Sequence, residues 1–137
     1  VNLIGPVWLT KLISLKMKKN KFGKIINISS IYGNVSKEKR SLYSISKFGL
    51  NGLTKSSALD LAKFNILVNS ISPGVFNTQL TKKILKHRGI KLVKKNIPLG
   101  RLGDPEMIAN LCIFLCSDLN NYITGQDIVI DGGYTSQ

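Results

Sequence analysis

Acidic residues are scarce in this chain. Seven Asp and Glu stand against 20 Lys and Arg among 137 residues, for a net charge of +13. A balance this basic raises the question of a nucleic-acid or acidic-membrane partner. The cations are spread along the chain, however, with local clusters at 16–24, 37–40 and 82–95, and 17 of the 20 are Lys. Phosphate and base-edge recognition favours the planar fork of Arg. The charge therefore reads as solvated surface, and no nucleic-acid partner is expected. Cysteine is nearly as rare. Cys112 and Cys116 fall four apart in an apolar helical pattern and read as small core residues on one face, which excludes a disulfide framework. The single His, His87, cannot build a metal centre with them, so no metal is expected. Such cysteine usage suits a reducing, cytoplasmic compartment. No apolar run approaches the ~18 residues of a membrane span. The longest candidate, 107–115, contains Asn110, so no membrane partner is expected. The opening Val1-Asn2-Leu3 carries neither Met nor a basic-then-apolar leader pattern, and reads as an interruption in a longer chain.

What is present is a globular pattern: 43% of residues are apolar, enough to rule out a disordered tail. No internal repeat or low-complexity linker divides the chain, so one domain is expected. Residues 2–19 read as a helix, stopped at Gly23, and 24–30 (KIINISS) as a buried β-branched strand. A polar loop follows through Gly33 to Arg40, then a long helix over 42–64. A second buried strand covers 66–72 (ILVNSIS) and stops at Pro73-Gly74. Residues 78–95 are helical and basic. Asp104-Pro105-Glu106 starts another helix, with Asp104 as its N-cap, running to about Ser117. Residues 128–130 form a third strand, closed by Asp131-Gly132-Gly133. Strands separated by helices imply a parallel sheet with helices on both faces. The fold class is α/β, an incomplete doubly wound Rossmann-like sheet. Three strands would leave an exposed apolar edge, which points to something missing on the N-terminal side.

Ligands of such sheets bind beyond the carboxyl ends of the strands, which singles out the loops after Ser30 and Ser72. Tyr43 and Lys47, four apart, share a helix face beside that region. A phenol is a poor acid or base at neutral pH, and a nearby ammonium favours its phenolate form. A Tyr beside a Lys is thus a candidate general acid/base for a carbonyl/alcohol pair. Taken alone the pair is a weak signal, because Lys is so common here. Its setting strengthens it: Ser30 ends a strand 13 residues before Tyr43, and Asn2 lies 28 residues before Ser30. Ser29, at a spacing of 14, is the poorer match. Tyr32 and Tyr134 have no Lys at the right offset and read as packing or substrate-pocket residues. Asn69 reads as a structural hydrogen-bonding group in a buried strand. Asp127 and Asp131 read as turn caps.

The Asn2, Ser30, Tyr43 and Lys47 spacing resembles the tetrad of the short-chain dehydrogenase/reductase family. The strand and turn at 24–33, the run Pro73-Gly74 through Thr78, the segment 98–106 and the segment 124–133 resemble further family signatures. The resemblance covers essentially the whole chain. It implies an oxidoreductase that moves hydride between NAD or NADP and a small carbonyl or alcohol substrate. Tyr43 would exchange a proton with the substrate oxygen. Lys47 would support Tyr43 and hydrogen-bond the nicotinamide ribose, Ser30 would polarise the carbonyl, and Asn2 would position a water. Pro73, Gly74, Val75 and Thr78 would contact the nicotinamide amide, joining Tyr43 and Lys47 as cofactor-binding residues. The resemblance also implies a homodimer or homotetramer, and a variable basic lid over 76–97 that suits an anionic partner no better than it suits general Lys enrichment. Segment 98–133 is similar to 3-oxoacyl-acyl-carrier-protein reductases, among many relatives. Neither G-x-x-x-G-x-G nor G-x-G-x-x-G occurs among the 12 Gly. The chain is therefore expected to be the C-terminal part of one such domain, lacking the dinucleotide-binding half, and inactive by itself.

Overall fold

The computed structural model describes residues 2–137. The elements run α1 (Ile4–Asn20), β1 (Gly23–Ile28), α2 (Ser41–Leu61), β2 (Ile66–Pro73), α3 (Gln79–Lys95), α4 (Pro105–Cys116) and β3 (Asp127–Ile130), with short 3-10 turns at Ile31–Gly33 and Ala62–Phe64. The three strands form one parallel sheet in the order β1-β2-β3. β1 meets β2 from Gly23 opposite Ile66 to Ile28 opposite Ile71. β2 meets β3 from Ser70 opposite Asp127 to Pro73 opposite Ile130. Among the described residues β1 has no partner on its outer edge, and Ile28 there is 46% exposed.

Strand side chains alternate between faces. Ile25 packs with Ala58 and Leu61 of α2 and with Ile66 and Val68 of β2, and Ile13 and Met17 of α1 lie against the same cluster. Asn27, on that face, donates to Thr54 of α2. Lys24 points the other way, where its ammonium donates to the carbonyls of Ser117 and Asn120 beyond α4. Helices therefore cover both faces, as a parallel sheet needs. Ile66, Val68 and Ile71 are fully buried, each contributing about 1.5–3 kcal/mol by transfer from water.

Several details differ from the sequence reading. β1 ends at Ile28, so Ser30 stands two residues beyond the strand. The chain departs because Ser30 caps the 3-10 turn: its hydroxyl accepts from Tyr32 N–H, and its carbonyl accepts from Gly33 N–H. Asp104 occupies the N-cap of α4 but its side chain makes no cap hydrogen bond. The Met107 N–H that such a cap would take donates to the Asp104 backbone carbonyl instead. α3 is kinked at Lys86, whose φ of 52° lies outside the helical region. Cys112 is half-buried and Cys116 exposed, so the pair is not a core pair. Burial, with Cys116 adding, pushes the Cys112 thiol up, away from the reactive thiolate. Large apolar side chains also face outward, among them Trp8 and Leu12 of α1 and Leu42 and Ile45 of α2.

Candidate active site

The site is built where β1 gives way to α2. Ser29 continues the ladder by donating its N–H to Ile71 O, and its hydroxyl reaches Lys47 O at 3.3 Å. That bond ties the strand end to the middle of α2 and occupies Ser29 structurally. Ser30 is buried, and its hydroxyl accepts from Tyr32 N–H at 3.2 Å. A hydroxyl used as an acceptor keeps its proton for a ligand.

Tyr43 and Lys47 lie one helical turn apart, with the Lys47 Nζ 5.7 Å from the Tyr43 ring centroid. Lys47 Nζ donates to Ile28 O at 2.9 Å. Burial pushes the Lys47 pKa below its ordinary value. The Tyr43 ring is held edge-to-face by Tyr32, with centroids 6.0 Å apart. Tyr32 hangs from the turn that Ser30 caps, so this contact fixes the strand-end turn against the start of α2.

One open space reaches Lys47 and another reaches Tyr32, the ring packed on Tyr43. A groove of about 710 Å³ along the free edge of β1 is lined by both Asn2 and Lys47. A cleft of about 490 Å³ is lined by Tyr32 and Tyr134, by Val75, by Ile84 and Val93 of α3, and by Lys37, Lys39 and Arg40. The cleft thus has an apolar side and a basic side.

The loop after β2 is pinned from two directions. Gly74 N–H donates to Ile130 O, and Val75 O accepts from Gly103 N–H. Thr78 caps α3: its hydroxyl accepts from Thr81 N–H at 3.1 Å and lies 3.0 Å from the Thr81 hydroxyl. Asn69 is fully buried and bridges Ile123 O and Gln126 N–H, the structural role its setting called for. Asp131 accepts from Gly133 N–H and from the backbone and hydroxyl of Thr135, closing the turn after β3.

Asp127 does not cap a turn. Its carboxylate accepts from the hydroxyls of Ser70 and Ser72 at 2.7 Å, from Asn34 at 2.6 Å and from Asn51 at 3.1 Å. Asn51 also donates to Gly33 O. Sequence reasoning missed this cluster, although a signal existed. Ser70 and Ser72 alternate on one face of a strand that is otherwise mostly aliphatic, and buried hydroxyls at that spacing require a polar partner.

Chemically, the arrangement offers a phenol, a partly desolvated ammonium and a strand-end hydroxyl at the carboxyl end of a parallel sheet. No group of three or more His, Cys, Asp or Glu that could hold a metal ion occurs among the described residues.

Comparison with known proteins gives a consistent picture. A family model described as enoyl-(acyl carrier protein) reductase matches residues 1–135. The chain is 44% identical over 133 residues to a 3-oxoacyl-acyl-carrier-protein reductase of Aquifex aeolicus, covering 97% of the chain and 53% of that relative. It is 41% identical over 137 residues to carbonyl reductase family member 4 of Xenopus tropicalis, covering 100% of the chain and 56% of the relative. Among solved structures, a 4-hydroxyisoleucine dehydrogenase complexed with NADH superposes with a TM-score of 0.95 at 39% identity, over 100% of this chain and 57% of that one. ElxO with NADP bound superposes with a TM-score of 0.93 at 33% identity, over 99% and 56%. The chain spans about half the length of the curated relatives it matches.

Proposed function

This chain belongs to the short-chain dehydrogenase/reductase family, and on that footing we propose that the polypeptide containing it is an NAD(P)-dependent oxidoreductase acting on a small carbonyl or alcohol. The observation that carries this reading is the Lys47 ammonium, partly desolvated, 5.7 Å from the Tyr43 ring and bonded to Ile28 O, two residues before the buried Ser30. Neighbours crystallised with NADH or NADP support the cofactor class.

The donor set fits the nicotinamide end of such a cofactor. An ammonium has three N–H groups, and the described residues take one of Lys47's, at Ile28 O. The remainder suit a ribose diol. Pro73, Gly74 and Val75 would line the nicotinamide side, with Thr78 contributing through whatever capacity its helix-capping hydroxyl retains. When bound, NAD(P)(H) supplies or accepts the hydride. In this reading Tyr43 gives a proton to the substrate oxygen during reduction and takes it back during oxidation. Lys47 would hydrogen-bond the nicotinamide ribose and hold it beside Tyr43. Ser30 donates to the same oxygen and stabilises the charge that develops there. Asn2 shares the Lys47 groove and would hold a water from which Tyr43 is reprotonated. Substrate would enter by the cleft between Tyr32 and α3.

A second reading, an oligomerisation module without catalysis, has one observation in its favour: the outward apolar residues of α1 and α2. The same outward residues would equally serve an active homodimer or homotetramer, which we propose for the enzyme. No helix among the described residues is long and apolar enough to cross a membrane, and we place the protein in the cytoplasm.

The test is NADH or NADPH oxidation by the full polypeptide against a panel of ketones and aldehydes. Turnover abolished by Tyr43→Phe is expected. Turnover that survives that change, or no hydride transfer to any carbonyl, would refute the reading. The 137 residues alone are expected to bind either cofactor only weakly and to turn over nothing; micromolar binding with turnover would contradict that.

A further inference from the structure

We propose that Asp127 is a positioning residue for this chemistry: it sets the Ser30 hydroxyl against Tyr43 and Lys47 without touching substrate. The proposal rests on the oxidoreductase reading above. Ser30 lies past the end of β1, and Tyr43 lies in the first turn of α2. Between them run the 3-10 turn and an exposed loop to Arg40, which cannot by themselves fix a distance. Cross-links must do so.

Beside the direct ties of Ser29 to Lys47 O, Lys47 to Ile28 O and Asn51 to Gly33 O, Asp127 adds a bridge that also reaches the central strand. Its Oδ2 accepts from Asn34, the residue directly after the turn that Ser30 caps, at 2.6 Å. The same oxygen accepts at 3.1 Å from Asn51, one turn beyond Lys47 on α2. Its Oδ1 accepts at 2.7 Å from Ser70 and from Ser72 of β2, and Ser72 also reaches Oδ2 at 2.8 Å. One carboxylate therefore joins the Ser30 turn, the Tyr43–Lys47 helix and the central strand. Asn51 strengthens the join by donating its other N–H to Gly33 O at 3.2 Å. All of these donors are neutral. The carboxylate is met by hydrogen bonds rather than by a cation, which gives it direction as well as affinity.

Removing the carboxylate tests the idea. Asp127→Ala loses the ties to Asn34 and Asn51 together with those to Ser70 and Ser72. An Asn here could turn its carbonyl to Asn34 and Asn51 and its NH2 to the Ser hydroxyls, which also accept, so Ala is the informative change. A displacement of about 1 Å at a reacting group costs on the order of 100-fold; partial loosening should cost about tenfold.

The experiment measures single-turnover hydride transfer, KM for cofactor and substrate, and the urea midpoint, in the full polypeptide and in its Asp127→Ala, Asn51→Ala and doubly substituted forms. The expected result is kcat reduced about tenfold in each single variant, with little further loss in the double variant. Cofactor KM should stay within about twofold, and each variant should remain folded at the assay temperature. Wild-type kcat in Asp127→Ala, additive losses in the double variant, or activity that falls only with the folded fraction would overturn the proposal. If the wild type is active and Tyr43→Phe is dead while Asp127→Ala is normal, this inference alone fails. If the wild type transfers no hydride, or Tyr43→Phe is fully active, the enzyme reading fails and takes this one with it.

Discussion

Replacing Gly33 by Ala presses directly on the junction between strand end and helix. A Cβ built on Gly33 would stand 2.8 Å from the Asn51 amide nitrogen, 2.8 Å from the Ser29 hydroxyl and 3.0 Å from the Lys47 carbonyl. The last contact is backbone of α2 and cannot rotate away. Gly33 is not among the positive-φ residues, so the new side chain adds no backbone strain and the cost is overpacking. Overpacking costs about 1–3 kcal/mol, and weakening the Asn51 bond to Gly33 O adds about 1 kcal/mol. Stiffening the unfolded chain returns about 0.4–1 kcal/mol. The expected net loss is about 1–3 kcal/mol, with Ser30 displaced because its turn moves. Gly52→Ala is the control. Gly52 lies in α2 with nothing within 4 Å of its Cβ position, so the change should stabilise by about 0.5–1 kcal/mol. Urea unfolding followed by circular dichroism reads both. Gly33→Ala as stable as wild type, or more stable than Gly52→Ala, would refute the packing argument for this junction.

Lys47→Met should leave stability unchanged or raised while abolishing hydride transfer in the full polypeptide. Burial lowers the Lys47 pKa, so between its folded and ordinary values the unfolded chain binds more protons and wild-type stability rises with pH. That alkaline rise should vanish in Lys47→Met; a large loss of stability at neutral pH would contradict the reasoning. Asp131 acts in the same sense, in the acid range. Burial pushes its pKa up, but hydrogen bonds from the Thr135 hydroxyl and from the Thr135, Gly133 and Tyr134 backbones outweigh this and hold it low. Its ionised form therefore contributes stability above the ordinary carboxylate range, and that contribution is lost as pH falls through the folded value. Asp131→Asn should flatten the acid limb of the urea midpoint against pH, and an unchanged acid limb would count against it.

The order and type of elements were legible because each strand is a short run rich in β-branched residues set between longer helical segments. Boundaries erred by a residue or two where tertiary hydrogen bonds decide them, as at Ser30, which the 3-10 turn draws out of β1. The Tyr43–Lys47 pair was legible because its partners are one helical turn apart. Asp127 was misread as a turn cap because its donors lie up to 93 residues away in sequence, and no local period reports such a pairing. Cys112 and Cys116 followed an apolar helical pattern into the wrong place. Their helix turns part of that stripe outward, as the exposed Ile113 beside them also does.

The central claim is that Tyr43 moves the proton while Lys47 and Ser30 prepare it and the substrate oxygen. Its most direct test is the single-turnover rate of hydride transfer in the full polypeptide bearing Tyr43→Phe, with cofactor affinity measured alongside. The phenyl ring keeps the packing against Tyr32 and loses only the hydroxyl. A fall of about 1,000-fold or more with cofactor affinity unchanged is the predicted result; a rate within a few-fold of wild type would contradict it.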